Sequence, residues 1–122
     1  MGILSGNPKK EPLHYGEVYG LYVQLTAAKA ALDGYQVYYN HTGDKDLKEF
    51  IKDVINNSIK PSIEEVEQVL VANDIAVPPT PAERPAVDVE QIPPGARLLD
   101  AQVAVAIARD IATGLSAMST LI

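Results

Sequence analysis

Between His14 and Asn40, apolar side chains recur at alternating steps of three and four residues: Val18, Leu21, Leu25, Ala28, Leu32, Tyr35 and Tyr39. On a helix these seven positions form one continuous stripe, so the pattern predicts a helix over about 13–40. Gly16, Gly20 and Gly34 lie inside it. Each weakens an isolated helix by up to about 1 kcal/mol relative to alanine, so this helix is held by packing rather than by propensity. A second stripe follows: Leu47, Ile51, Val54 or Ile55, Ile59, Ile63, Val66 and Leu70, which predicts a helix over about 45–73. Pro61 falls within it and should kink or briefly break it, with Ser62 and Glu65 set as a capping box for the segment beyond. Between the two helices, Asn40-His-Thr-Gly-Asp reads as a stop and restart. Gly43 suits a left-handed position, Asp44 suits an N-cap, and His41 reads as solvated. So short a connection makes the two helices antiparallel neighbours.

The pattern then changes. Residues 75–97 hold six prolines, which exclude a helix and a central strand. The segment should run extended, partly as polyproline II, with Val87, Val89 and Ile92 as apolar anchors. It is long enough to cross back along a whole helix, so a third helix, about 99–122, should start where the second one starts. Val103, Ile107, Ile111, Leu115, Met118 and Leu121 stripe that helix, and no charge follows Asp110. A helix without a polar side is normally buried all round, so these six are the candidate self-association residues.

Composition narrows the possibilities. The 122 residues amount to about one domain, read as an extended arm over 1–12 and a single helical domain over 13–122. There is no cysteine, hence no disulfide and no thiolate metal site. The formal charge is −6, and the ten Lys/Arg are scattered, so no basic face exists for a phosphate backbone and nucleic acid is not an expected partner. The second helix carries eight Asp/Glu against four Lys over 44–74, which reads as a solvated face. The first residues place their few apolar side chains before Pro8, Lys9 and Lys10, the reverse of a signal peptide, so synthesis in the cytoplasm is expected. No apolar run reaches the roughly 20 residues of a membrane span.

Four segments carry a family resemblance: Pro12-Leu-His-Tyr-Gly-Glu-Val, Gly34-Tyr-Gln-Val-Tyr-Tyr-Asn-His-Thr-Gly-Asp, Lys60-Pro-Ser-Ile-Glu and Val77-Pro-Pro-Thr-Pro-Ala-Glu-Arg-Pro. The chain resembles a family of uncharacterised proteins from Bacillus and related spore formers, some of which bear a provisional spore coat label. The resemblance implies an all-α, ferritin-like up-down bundle with a long crossover and a structural role at the spore coat or surface. It also implies a fourth helix, which is either missing from these three long helices or supplied by a partner. The expectation is therefore a non-enzymatic, self-assembling homo-oligomer without a cofactor. The alternatives are a ferritin-like metal-binding protein and a small-ligand carrier. A di-iron bundle needs Glu-x-x-His on two helices, and that motif does not occur. The reverse spacing, His14-x-x-Glu17, could meet Glu64 or Glu67, and these four are the weak metal candidates. Otherwise His14 and Glu17 would serve the helix start locally. No nucleophile–base pair or phosphate loop is present.

Overall fold

A computed structural model describes residues 14–121, with side chains to Thr113. The predicted arm at 1–12, and the side chains of Leu115, Met118 and Leu121, lie outside the described residues. The fold is all-α, with no strand among the described residues. Helix α1 spans Tyr15–His41, α2 spans Lys45–Val54, a π-helical turn covers Ile55–Ile59, and α3 continues over Lys60–Ala72. The Pro-rich segment follows, with single 3-10 turns at Val89–Gln91 and Pro94–Ala96, and α4 spans Asp100–Leu121. Counting α2 to α3 as one rod, there are three long helices among the described residues.

Pro61 does not break that rod. A proline in a helix lacks its N–H and crowds the carbonyl four residues back, here Asn57. The turn holding that carbonyl is the one that widens to the π form. The widening also corrects the phase of the apolar stripe. Ile51, Ile55, Ile59 and Ile63 are four residues apart, and in a regular helix three such steps drift by about 120°. One inserted residue in a π turn removes about 100° of it, and Ile51, Ile55 and Ile63 are all buried. Because the rod is continuous, no free turn exists for Ser62 to cap. The residue before α3, Ile59, has no side-chain cap.

The described chain divides into two compact units. The first holds residues up to Gly34 together with Asp53–Glu83. Its core is Leu21 and Leu25 of α1 against Ile63, Val66 and Leu70 of α3, with Ala28, Leu32, Ile59, Val69, Ile75 and Val77 packed around them. The rod ends there in a Schellman motif. Ile75 N–H donates to Leu70 O and Asp74 N–H to Val71 O, both at 3.0 Å. Asp74 takes the left-handed position with φ 59°, and Ile75 closes on the core that contains Leu70. Aspartate tolerates this conformation, whereas a β-branched residue does not. Asp74→Val is expected to lower unfolding free energy by about 1–2 kcal/mol, read from the urea midpoint at unchanged m-value.

The second unit holds Tyr35–Lys52 together with residues 84 to 121. Here α1 ends without a left-handed residue. Gly43 has no positive φ. Instead Thr42 turns back on the helix, its Oγ1 donating to Tyr38 O at 2.6 Å and its N–H to Tyr39 O at 3.4 Å. Asp44 then caps α2 as expected, its Oδ1 accepting from Leu47 N–H at 2.9 Å. Val103 and Ile107 of α4 are buried. Both therefore serve the chain's own core, while Ile111, from the same stripe, is exposed.

Candidate functional site

The polar side chains that the fold places with most care all hold the Pro-rich strap. Prolines have no N–H, and an extended segment gives its carbonyls no helical or sheet partner. Whatever fixes such a strap must do so from side chains. In the second unit, three side chains of α1 supply that role. Gln36 Oε1 accepts from Arg84 N–H at 3.1 Å. Asn40, buried, brackets the next turn of chain: its Nδ2 donates to Pro85 O at 3.2 Å, and its Oδ1 accepts from Val87 N–H at 3.1 Å. An amide side chain carries both a donor and an acceptor, so one residue meets both needs. His41 Nδ1 accepts from Leu98 N–H at 2.9 Å, which makes this histidine a half-buried fastener rather than a solvated turn residue.

The start of α4 is tied to the same place. The Asp100 carboxylate accepts from Gly43 N–H at 2.9 Å and Asp44 N–H at 3.1 Å. These amides lie at the N-terminus of α2, where a carboxylate also meets the favourable end of the helix dipole. The third helix thus begins beside the point where the second begins. Within the strap, Arg97 closes a loop on itself, Nε donating to Ile92 O at 2.7 Å and Nη2 to Glu90 O at 3.1 Å. Asp88 and Gln91 form a capping box around the 3-10 turn.

In the first unit the equivalent tie is a buried lysine. Lys29 is 3 % exposed, pairs with Glu67 at 2.7 Å, and donates to Pro78 O. One ammonium therefore joins α1, α3 and the start of the strap. Among the described residues, no buried side-chain polar atom lacks a partner.

The metal candidates do not converge. His14 is exposed, and its backbone N–H donates to Glu17 Oε1 at 3.0 Å, a local helix-start contact. Glu64 is exposed, and Glu67 is held by Lys29. No group of three or more His, Cys, Asp or Glu among the described residues lies close enough to hold a metal ion. No helix among them is long and apolar enough to cross a membrane.

Lys29, Gln36 and Asn40 carry the strap without forming any sequence motif. One signal does point to them: Leu25, Lys29, Leu32, Gln36 and Asn40 follow one another at steps of three and four, so three polar residues sit on an inward face.

The tyrosines divide by environment. Tyr15, Tyr19 and Tyr22 are exposed, while Tyr35 is 5 % exposed and tilted against Tyr38, their centroids 5.5 Å apart. Burial, the charge of Asp110 and a hydrogen bond to its carboxylate push the Tyr35 hydroxyl up to about 12. A raised value in the folded state means the native form holds its proton where the unfolded form, near 10, has lost it. That stability is complete below about pH 10 and is lost as pH climbs toward 12. Tyr35→Phe is expected to remove the step near pH 12 from the tyrosinate absorbance titration and to flatten the fall in stability over the same range.

Three long helices, a proline-rich strap and a set of side chains that pin it define an all-α protein built around a fastened crossover. The chain belongs to the DUF3231 family of proteins of unknown function, whose pattern matches residues 1–122. It is 44 % identical over 121 residues to the uncharacterised protein YvdQ of Bacillus subtilis, covering 99 % of this chain and 71 % of that protein. Its fold matches the crystal structure of a candidate spore coat protein from Bacillus halodurans with a TM-score of 0.86 at 38 % identity, over 93 % of this chain and 71 % of that one.

Proposed function

We propose that this chain is a non-enzymatic structural protein associated with the spore, and that it assembles from copies of itself. The observation that carries this reading is the use made of the polar side chains. Lys29, Glu67, Gln36, Asn40, His41 and Asp100 are engaged with strap, loop or each other. Groups that could bind or activate a substrate are thus engaged as fasteners, which suits a part built to keep its shape. The solved relative, at 38 % identity, is a candidate spore coat protein, and this supports the location.

Two measurements test the reading. A fluorescent fusion expressed in sporulating Bacillus should collect around the developing spore and remain with purified spores. Diffuse signal that washes away from spores would remove the location. The mass of the 122-residue chain by light scattering should exceed that of a monomer and be indifferent to a chelator. Dissociation on chelation would replace the structural reading with a metal-dependent one.

A further inference from the structure

We infer that the outward face of α1 between Tyr15 and Ala30 is the surface on which a second copy of this chain packs, antiparallel and about a two-fold axis. The inference deepens the self-assembly reading by naming the surface, and it rests on that reading.

The face is unusual for an exposed helix. Between Glu17 and Lys29 there is no charged residue, and Lys29 itself is buried. Tyr15, Tyr19, Tyr22 and Val23 are 90, 68, 40 and 47 % exposed. Thr26, Ala27 and Ala30 continue the exposed face. Thr26 turns its hydroxyl back onto Tyr22 O at 2.9 Å, so covering it strands no donor. Gly16 and Gly20 flank the rings, and a Cβ at either would meet nothing within 4 Å. The chain's own packing therefore does not require these two glycines, although each weakens the helix by about 1 kcal/mol relative to alanine.

Order along the face selects the occupant. Its first half is aromatic and its second half small. An antiparallel copy with the axis between Tyr22 and Val23 sets Tyr15 against Ala30, Tyr19 against Thr26 and Tyr22 against Val23. Every ring then faces a small residue, which is the self-complementarity a two-fold interface needs. A parallel copy would stack ring on ring and leave the small half open. The charge balance agrees. The chain carries −6 overall, so two copies repel except where they can meet without bringing carboxylates together.

The area is sufficient. With those exposures the three rings leave open the surface of about two full tyrosines, roughly 300–500 Å² per copy. Two copies remove roughly 600–1,000 Å² before the four smaller residues contribute, which reaches the size of a specific interface, about 1,000 Å².

The test uses the whole chain. Since it has no cysteine, single cysteines report proximity directly. Val23→Cys, beside the axis, is expected to give a disulfide-linked dimer on mild oxidation. Tyr15→Cys, far from the axis, is expected to give none. Tyr19→Glu with Tyr22→Glu should weaken association about tenfold or more by concentration-dependent light scattering, since it places unpaired carboxylates in the contact. Circular dichroism should stay at the wild-type shape, and the melting temperature should match the wild type at protein concentrations low enough for both to be monomeric, because both side chains lie on the surface and dimerisation itself raises the melting temperature. If the chain assembles but the double variant assembles equally well and Val23→Cys fails to cross-link, this surface is wrong and self-assembly stands. If Tyr15→Cys cross-links in place of Val23→Cys, the antiparallel register is wrong. A wild-type chain that stays monomeric at all concentrations overturns both this inference and the self-assembly reading, and the face is then covered by a different partner or a further helical segment.

Discussion

Replacing Lys29 with alanine is expected to destabilise the fold by about 3 kcal/mol, measured by urea unfolding with the m-value unchanged. Three losses combine. The Glu67 carboxylate loses its ion-pair partner, the Pro78 carbonyl loses its donor, and the buried aliphatic stem leaves a gap. Breaking a fully buried pair typically costs about 3–5 kcal/mol. The lower end applies here because Glu67 is 31 % exposed and can rehydrate. Lys29→Met separates the contributions. It keeps the stem and removes the charge, so the remaining cost is chiefly the unsatisfied Pro78 carbonyl, about 1–2 kcal/mol. A loss under about 0.5 kcal/mol for Lys29→Ala would mean that the ammonium does not hold the strap.

The helices were legible because their signals are local and periodic. The stripe through Leu21, Leu25 and Tyr35 is buried as its spacing requires. Pro61 predicts a kink or brief break, whereas the structure keeps one continuous rod with a π turn over Ile55–Ile59. The Asp44 cap was readable from residue type alone. The fasteners were not. A hydrogen bond such as Asn40 to Pro85 joins residues 45 apart, and no periodicity encodes which carbonyl an amide will meet. Gly43 misled for a different reason. A glycine after a helix usually marks a left-handed cap, but Thr42 closes α1 first, and the left-handed residue appears at Asp74 instead. The apolar stripe of α4 predicts one surface, yet Val103 and Ile107 are buried while Ile111 is exposed. Stripe position predicts a shared face, not how far along the helix that face is covered.

Asn40 should prove the most informative single position in the strap. Asn40→Ala removes the donor to Pro85 O and the acceptor for Val87 N–H together. Pro85 and Val87 are exposed and water can replace the side chain, so each bond counts only its net value. With the space left by a buried side chain, the expected loss is about 2 kcal/mol. Hydrogen exchange should show where it falls. The Val87 and Arg84 amides should lose protection well before the amides of α3, as expected when the strap lifts by itself. Asn40→Asp sharpens the test. It has nearly the same shape and still offers an oxygen to Val87 N–H, but it turns a second oxygen toward the Pro85 carbonyl. It also places a negative charge in the last turn of α1, against the helix dipole. An isosteric change is therefore expected to cost at least as much as truncation to alanine. If Asn40→Asp matches the wild type instead, the amide's donor to Pro85 O holds nothing, and this turn of the strap is fixed by the Val87 N–H bond and its neighbours.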